Sequence, residues 1–283
     1  MSLPSTSRAF RRTQDGTNIE LVQESLPTSL NATEVLIKIH TVSLNFRDVA
    51  MLNNQYPLPA LDRGIPCSDA AATVVAIGDS VNAVKEGDYV CPTFLLGSGD
   101  KMAALGGDTD GVLREYAMYD QDALVKVPNY LSYEEASTIP CAGVTAWTSL
   151  DCNKPKEVHS ALMQGTGGVS IFALLLCLAK GIKPVITSSS DEKLAGIKRL
   201  GKDGEILTVN YRTHPDWAEE TLKLTDGVGV DVVVNNVGAS SMDQSFKALR
   251  RFGTISLVGF LGGQPDRVPD VTGMILMLSL IHI

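Results

Sequence analysis

The chain has 283 residues, with 32 acidic against 24 basic side chains and a formal net charge of −8. This acidic balance argues against nucleic acid or an anionic membrane surface as a partner, because both are negatively charged. The longest apolar run, Ile171 to Ala179, is far short of the roughly 20 residues of a membrane span, and Met1 to Arg12 lacks the apolar segment of a leader. Five cysteines without paired spacing favour a reducing compartment, so we expect a soluble, cytoplasmic protein.

Alternating apolar and polar residues dominate the first part of the chain. Glu34 to His40 and Ala71 to Gly78 alternate in this way, and Gly, Pro and Asn turns separate such runs, as in an antiparallel barrel. The composition changes near Val127-Pro128-Asn129, and a helix-rich linker is predicted from Tyr133. We therefore predict two domains, residues 1–130 and 131–283, each large enough to bury its own core.

In the second part, short apolar runs alternate with helical segments. Strands are predicted at 161–163, 183–187, 206–211, 230–236 and 253–259, and helices at 171–179, 190–200, 217–224 and 241–249. The run from Val230 to Asn236 is nearly continuous in apolar residues, which is typical of a parallel strand with helices on both faces. Alternation of this kind implies right-handed crossovers and a doubly wound α/β domain.

A glycine-rich turn separates the first of these strands from the first helix. It reads Gln164-Gly165-Thr166-Gly167-Gly168-Val169-Ser170. Glycines let backbone N–H groups approach a pyrophosphate, and the N-terminus of the following helix attracts its charge. Ser170 replaces a third glycine but is small enough for close packing of helix on sheet. Similar turns occur in proteins that bind nothing, yet the strand–turn–helix context favours a dinucleotide site at Gly165, Thr166, Gly167, Gly168 and Val169.

The end of the second strand distinguishes the two nicotinamide cofactors. An NAD site places a carboxylate there, about 20 residues after the first glycine, whereas this chain has Ser188 and Ser189, followed by Ser190 and Lys193. Hydroxyl groups and a positive charge suit a 2′-phosphate, which favours NADPH over NADH. In the alternative, Ser190 only caps the next helix and Asp191 supplies the acid two residues late.

Further cofactor contacts are predicted where the strands end, because open α/β sheets bind ligands beyond the carboxyl ends of their strands. These contacts are Asn236, Val237 and Gly238 after the fourth strand, and Val258, Gly259 and Phe260 after the fifth. Tyr211 follows the third strand. It either contacts the adenosine phosphate or packs as an ordinary aromatic residue.

Several short motifs occur in one order along the chain. They are Ser43-Leu44-Asn45-Phe46-Arg47-Asp48, Gly78-Asp79-Ser80-Val81, Lys85-Glu86-Gly87-Asp88-Tyr89-Val90, Gly111 with Glu115-Tyr116, Ala142-Gly143-Val144-Thr145-Ala146-Trp147, and the turn at Gly165. With these motifs the chain resembles the medium-chain dehydrogenase/reductase superfamily, in particular its zinc-independent, quinone-reductase-like branch, over about residues 9–278. The resemblance implies a GroES-like barrel, a Rossmann domain and an active site in the cleft between them, with Thr145 on the nicotinamide side.

The resemblance also bears on the metal. Zinc-dependent relatives hold the catalytic ion with a Cys, a His beside a Glu, and a later Cys, where this chain has Asn45, Ser68 with Asp69, and Cys141. One thiolate does not provide the three ligands of a catalytic zinc site, and residues 91–111 lack the C-x-x-C of a structural zinc lobe. We therefore predict a protein without zinc.

Without a metal, neutral groups must polarise the substrate. Asn45 and Tyr56 match positions that face nicotinamide and substrate in quinone-reductase-like relatives, and their N–H and O–H groups would stabilise the anion that forms as hydride arrives. Alternatively, Asn45 holds a turn and Tyr56 packs in a Pro-rich loop. Arg47 and Asp48 are expected to form a structural ion pair.

The predicted activity is therefore NADPH-dependent reduction of a small conjugated carbonyl or quinone, or interconversion of alcohol and carbonyl. The alternative is a non-catalytic nucleotide-binding protein or a truncated remnant. Relatives continue past a helix at 273–280 into a sixth strand, whereas this chain stops at Ile283, so the second domain is expected to be incomplete. A homodimer often uses that strand, which argues against dimerisation here and leaves an open sheet edge.

Overall fold

The computed structural model describes residues 4–152 and 158–263. The helix expected at 273–280 and the residues after it lie outside these ranges. The chain forms two compact units, Met1–Cys141 (unit 1) and Ala142–Ile283 (unit 2). Within the described ranges, no helix has the length and apolar character needed to cross a bilayer.

Unit 1 is built on antiparallel strands. They are β1 (Thr6–Arg12), β2 (Ile19–Ser25), β3 (Glu34–Ser43), β4 (Asp69–Ile77), β5 (Tyr89–Pro92), β6 (Leu95–Leu96), β7 (Ala103–Ala104), β8 (Tyr116–Asp120) and β9 (Leu124–Lys126). β1 pairs with β2 and β6 with β7, and the other five form one sheet in the order β8–β3–β4–β5–β9. Val35, Ile37, Val74 and Val90 are almost fully buried and belong to one apolar core of this unit. Leu36 between the first two is buried as well, so burial along β3 does not follow a strict period of two.

A short helix that the sequence pattern did not predict follows β3. This helix, α1 (Phe46–Leu52), has only seven residues, which is too short for a helical periodicity to be recognised. Its first turn is closed by Asp48, whose carboxylate accepts a hydrogen bond from the backbone N–H of Asn45 at 2.8 Å.

The boundary between the units lies later than the sequence suggested, because a second helix packs on the antiparallel sheet. In α2 (Tyr133–Ser137), the Tyr133 hydroxyl lies 3.0 Å from Thr73 Oγ1, and Ala136 is buried against Ala71 and Cys91. Ser132 and Glu135 close the start of this helix with reciprocal hydrogen bonds, an arrangement that stabilises helix N-termini. Residues 131–141 therefore belong to unit 1.

Unit 2 is a doubly wound α/β domain, as predicted. Its strands are β10 (Ser160–Gln164), β11 (Lys183–Ser188), β12 (Leu207–Asn210), β13 (Val230–Asn235) and β14 (Leu249–Leu257), and its helices are α3 (Val144–Ser149), α4 (Gly168–Lys180), α5 (Asp191–Lys198), α6 (Trp217–Leu224) and α7 (Met242–Ala248). The strands are parallel in the order β12–β11–β10–β13–β14. Leu162 and Met163 are both fully buried but belong to cores on opposite faces of the sheet, as expected for a sheet with helices on both faces.

β14 begins earlier than predicted. Leu249 pairs with Val230, after which the register shifts so that Thr254 pairs with Val232. Phe252 lies within the shifted segment and has a left-handed φ of 62°. An irregularity of this kind leaves no alternating pattern in the sequence, so only the regular part of the strand, from Gly253, could be predicted.

Candidate functional site

The glycine turn lies at the carboxyl end of β10, between its neighbours β11 and β13. Gly165 has a φ of 78°, a left-handed conformation that favours glycine. Gly167 has an ordinary φ of −82°. A Cβ on either residue would meet nothing within 4 Å, so the protein's own packing does not require glycine at 167. The open space above the N-terminus of α4 fits a dinucleotide pyrophosphate.

A buried polar network holds this turn from behind. Ser170 Oγ donates to the Gln164 carbonyl at 2.9 Å, and Asn236 Nδ2 donates to Ser170 Oγ at 2.9 Å and to the same carbonyl at 3.2 Å. The Gln164 side chain accepts from the Val237 N–H at 3.2 Å and donates to Ser245 Oγ at 3.0 Å. The amide of Asn236, predicted to contact cofactor, is thus engaged in fixing the turn.

The two predicted loop segments after β13 and β14 lie against each other. Val258 N donates to Asn235 O at 2.9 Å, and a Cβ on Gly259 would lie only 2.3 Å from Asn236 O. Gly238 has a φ of 94°, so it too requires glycine. The structure therefore brings Asn236, Val237, Gly238, Val258, Gly259 and Phe260 together beside the turn.

Thr145 lies in α3, the helix that precedes β10. A Cβ on Gly168 would lie 3.5 Å from Ala142 Cβ, so the chain at the start of α3 touches the glycine turn. Thr145 itself is half-buried in the first turn of α3. It is therefore placed near the turn, on an element that packs against α4.

The residues predicted to bind a 2′-phosphate lie at the end of β11. Ser188 Oγ accepts from the Ser190 N–H, and Ser190 Oγ accepts from the Lys193 N–H, both at 3.3 Å. Ser190 thus caps α5, as the alternative reading proposed. Ser189 is half-buried and Lys193 is exposed, so neither side chain is enclosed by the protein.

Two further residues, Asp191 and Tyr211, lie beside the carboxyl end of β11. Asp191, the acid that could have served NADH, accepts a hydrogen bond from Asn210 Nδ2 at 2.8 Å. Tyr211 N donates to the Ser188 carbonyl at 3.0 Å, which places Tyr211 directly beside the β11 end with a residue exposure of 42%.

The catalytic candidates lie in unit 1. Asn45 joins β3 to α1, and its Nδ2 atom is buried near the Asp69 carboxyl without a hydrogen bond of normal length and angle. Asp69, at the start of β4, is fully buried. Its Oδ1 accepts from Ser68 Oγ at 2.7 Å and its Oδ2 from the Cys141 N–H at 3.1 Å. Burial raises the pKa of Asp69, and the nearby hydroxyl of Ser68 and amide of Asn45 oppose that shift.

These residues do not fit a catalytic zinc ion. Zinc sites use thiolate, imidazole or carboxylate ligands, and this set offers one thiol, that of Cys141, and one carboxylate, that of Asp69, whose two oxygens already accept hydrogen bonds. Across residues 4–152 and 158–263, no group of three His, Cys, Asp or Glu side chains could hold a metal ion. The other two residues of this set, Asn45 and Ser68, have a neutral amide and a neutral hydroxyl, which are not among the usual zinc ligands.

The prediction of an ion pair between Arg47 and Asp48 is wrong. Arg47 Nη1 donates to the Leu105 carbonyl at 2.9 Å, and its guanidinium lies over the rings of Phe94 (4.8 Å) and Tyr56 (5.6 Å). Asp48 turns back to the N-terminus of α1, so the two side chains diverge. Arg47 thereby positions the ring of Tyr56 through a cation–π contact.

Each unit also contains a cavity. The one in unit 2 measures about 370 Å³ and lies between α5, β12 and α6, where Lys198 and His214 line it. It shares no lining residue with the glycine turn or with the loops after β13 and β14, so size alone does not identify the cofactor site. The one in unit 1 measures about 310 Å³ and is lined by Tyr56 and Arg12.

Comparisons with known proteins agree with this architecture. Residues 31–129 match the family model of the alcohol dehydrogenase GroES-like domain, and residues 168–282 match that of the zinc-binding dehydrogenase. A zinc-type alcohol dehydrogenase-like protein of Schizosaccharomyces pombe is 40% identical over 260 residues, which cover 88% of this chain and 74% of that protein.

Solved structures give the same result. A candidate alcohol dehydrogenase from Sinorhizobium meliloti 1021 superposes with a TM-score of 0.84 at 32% identity, covering 98% of this chain and 83% of that one. A quinone oxidoreductase from Pseudomonas syringae superposes with a TM-score of 0.76 at 26% identity, covering 96% and 78%.

An antiparallel unit followed by a doubly wound unit with a glycine turn is the architecture of two-domain, dinucleotide-binding oxidoreductases. The chain belongs to the medium-chain dehydrogenase/reductase superfamily. The predicted superfamily and the predicted GroES-like and Rossmann folds are thus confirmed.

Proposed function

We propose that this oxidoreductase uses NADPH to reduce a small conjugated carbonyl compound or quinone, without a catalytic metal. The observation that carries the proposal is the buried Asn45 amide, whose Nδ2 atom makes no hydrogen bond of normal length and angle within the protein although it lies near the Asp69 carboxyl. A buried donor without an acceptor is costly. A substrate oxygen would satisfy it and would be stabilised as negative charge develops there.

Unit 2 is the proposed cofactor site. A bound NADPH would supply the hydride for reduction of the electron-poor carbon of the substrate, and the proton would come from solvent. The open backbone at Gly165 and Gly167 would receive the pyrophosphate, and Ser189 and Lys193 would receive a 2′-phosphate. That Asp191 is engaged with Asn210 supports NADPH over NADH, because an NAD site needs a free carboxylate for the ribose.

Unit 1 is proposed to polarise the substrate. Asn45 Nδ2 would donate to the carbonyl oxygen, and the Tyr56 hydroxyl would serve as a second donor. Arg47 fixes the Tyr56 ring from one side. Preorganised donors of this kind stabilise an anion without reorganisation during the reaction.

Asn45→Ala tests the proposal. Removing one preorganised donor lowers turnover by a factor of about 10² or more, while the Kd for NADPH should be unchanged because the cofactor contacts lie in unit 2. Asn53→Ala is the matched control, since Asn53 is exposed at the other end of α1. Equal turnover in Asn45→Ala and wild-type protein would refute the role of Asn45.

The names of the relatives suggest a second activity, that of a zinc alcohol dehydrogenase. Metal analysis of purified protein and turnover after chelator treatment separate the two. We expect less than stoichiometric zinc and unchanged turnover. Stoichiometric zinc together with chelator-sensitive alcohol oxidation would replace the metal-free proposal.

A further inference from the structure

The parallel sheet of unit 2 opens between β10 and β13. Helices α4 and α5 pack in the core on one face of the sheet, whereas α6 and α7 pack in the core on the other face. The last residue pair of the ladder between β10 and β13 is Met163 with Val234. Beyond this pair the two chains lead to helices on opposite faces, so a crevice forms between them, and α/β sheets bind their ligands at such a point.

Two loops form the sides of this crevice. One side is the glycine turn, residues 165–168, where the pyrophosphate is proposed to bind, and the other is the loop at residues 236–238. A dinucleotide that spans the crevice contacts both sides at once, so their spacing has to match the ligand. The ladder ends before both loops, which leaves their spacing to side chains.

Gln164 and Asn236 link the two sides reciprocally. Gln164 Oε1 accepts from the Val237 N–H at 3.2 Å. In the opposite direction, Asn236 Nδ2 donates to the Gln164 carbonyl at 3.2 Å and to Ser170 Oγ at 2.9 Å. The exposed fractions of Gln164 and Asn236 are only 4% and 8%, so water does not compete for these hydrogen bonds. We call this pair the Gln164–Asn236 link.

The orientation of the Gln164 amide is fixed by its other partners. Its Nε2 atom donates to Ser245 Oγ at 3.0 Å. The Ser245 hydroxyl itself donates to the Ser241 carbonyl at 2.9 Å, so its oxygen is left to accept. A flipped amide would set two donors against each other at Val237 and two acceptors at Ser245. Only an amide offers both the donor and the acceptor that this position uses.

The loop at 236–238 is held as a wall, because its inward backbone groups are already used. The Val237 N–H is bound by Gln164, and the Gly238 N–H donates to Asn235 Oδ1 at 2.7 Å. The Val237 carbonyl accepts from the Gly262 N–H at 2.8 Å. What the Gln164–Asn236 link controls is therefore the position of this wall relative to the glycine turn.

We infer that Gln164 and Asn236 are positioning residues that set the spacing between the two sides of the crevice. The inference rests on the proposed function, since it places a dinucleotide across the crevice. When the link is broken, the loop at 236–238 can move away from the turn. A ligand that spans both sides then binds more weakly, whereas a ligand that avoids the crevice is unaffected. The same displacement misplaces the nicotinamide and lowers turnover.

The test compares NADPH with adenosine 2′,5′-bisphosphate, which carries only the adenosine end of the cofactor. In Gln164→Met the side chain keeps its approximate length but cannot accept from the Val237 N–H. The Kd for NADPH should rise at least about tenfold, because simultaneous contact with both sides of the crevice is lost. The Kd for the bisphosphate should change by less than about twofold, since its proposed contacts at the end of β11 are separate from the link. Calorimetric titration measures both.

Thr225→Val is the matched control. Thr225 Oγ1 accepts from the buried Gly229 N–H at 3.1 Å, so valine also leaves one backbone N–H without its acceptor. This loss occurs before the start of β13 and not at the crevice. Both variants should lose stability, and only Gln164→Met should change the ratio of the two Kd values. An equal change of that ratio in both variants would indicate a general loosening of unit 2 and would overturn the inference.

A second variant breaks the link from its other side. Asn236→Leu removes the donor to the Gln164 carbonyl, which keeps the Ser170 hydroxyl as a donor at 2.9 Å. It should show the same selective loss of NADPH affinity, and it replaces Gln164→Met if that variant does not fold. An unchanged ratio of Kd values, with NADPH bound by wild-type protein, would reject the link and retain the proposed cofactor site. Wild-type protein that binds neither ligand would reject the proposed function, and this inference with it.

Discussion

At Gly167, neither the backbone conformation nor the packing of the protein requires a glycine. Its φ is ordinary and a Cβ would meet nothing within 4 Å. Gly167→Ala should therefore change the free energy of unfolding by less than about 1 kcal/mol. It should raise the Kd for NADPH at least about tenfold, equivalent to 1.4 kcal/mol, because the methyl group occupies the proposed pyrophosphate space. Fluorescence titration with NADPH and chemical denaturation measure the two effects.

Gly196→Ala is the matched control for that variant. Gly196 lies inside α5, where a Cβ would meet only Arg199 Nη2 at 3.6 Å. Alanine in a helix interior stabilises by up to about 1 kcal/mol relative to glycine, so this variant should gain stability and keep its Kd. Unchanged NADPH affinity in Gly167→Ala would contradict the placement of the pyrophosphate.

Asp69 should give stability an unusual pH dependence. Burial raises the pKa of Asp69 in the folded state, so the folded state binds this proton more tightly than the unfolded state does. The stabilising effect of that proton is complete below the unfolded value, about 3.9, and is lost as pH rises through the folded value. Asp69→Asn cannot lose a proton, so the stability of wild-type protein relative to Asp69→Asn should fall as pH rises from about 4.

Chemical denaturation of both proteins across this pH range provides the measurement. Comparing wild type with variant removes the contribution of carboxylates such as Asp88 and Asp110, whose lowered pKa values act in the opposite direction. Asp203→Asn, in an exposed loop, should show no such trend. A difference between wild type and Asp69→Asn that is constant from pH 4 to 8 would mean that the buried carboxyl does not titrate as described.

At the scale of elements, the turn from β11 to α5 should determine the choice of cofactor. Ser189→Asp places a carboxylate where the 2′-phosphate is proposed to bind. It should weaken the binding of NADPH by repelling the phosphate, and strengthen the binding of NADH by accepting hydrogen bonds from the ribose hydroxyls. A charge-assisted hydrogen bond is worth about 1.5–3 kcal/mol, so the ratio of the two Kd values should change about ten- to hundredfold. Titration with both cofactors provides the ratio.

Lysines on α5 provide the control for this preference. Lys193→Met removes a positive charge beside the proposed 2′-phosphate site, so it should weaken the binding of NADPH but not that of NADH. Lys198→Met removes the same charge from the end of the same helix and should affect neither. If Lys193→Met and Lys198→Met behave alike, Lys193 is only a surface residue.

The network behind the glycine turn should contribute to stability as well as to binding. Gln164→Met keeps the side chain's approximate length but leaves the Val237 N–H without its acceptor. The Ser245 hydroxyl loses the Gln164 donor and keeps its bonds with Asn235 Nδ2 and the Ser241 carbonyl. Each buried group left unpaired costs about 1–3 kcal/mol, so the free energy of unfolding should fall by that order. Gln23→Met, on the exposed hairpin strand β2, should be neutral; a neutral Gln164→Met would show that the network adds nothing.

Across the whole molecule, the sequence predicted those structural features that depend on a local pattern of residues. The apolar run from Val230 to Asn235 and the glycines at 165 and 167 carry their signals within a few residues. These signals were sufficient to predict the parallel sheet and the position of the glycine turn. The helix α1 is too short to show periodicity, and the irregular start of β14 shows no alternation.

The parts of the site that the sequence did not predict depend on distant contacts. Gln164 meets Ser245 across 81 positions of sequence and Asn236 across 72. Arg47 and Asp48 are adjacent, which suggested an ion pair, yet the start of α1 turns Asp48 toward its own backbone. A link between two strand ends is visible only once the fold is known.

Hydrogen exchange provides the test of the cofactor site on the scale of the whole chain. NADPH should slow exchange at residues 165–170, 188–193 and 236–238, because these segments meet at one edge of the parallel sheet, and it should leave β1 and β2 unchanged. The cavity of unit 2 beside β12 and α6 is the competing location. Protection confined to residues 213–224 would place the cofactor there instead. In Gly167→Ala, the same NADPH concentration should protect none of the three segments, since the added methyl group blocks the turn while the fold is retained.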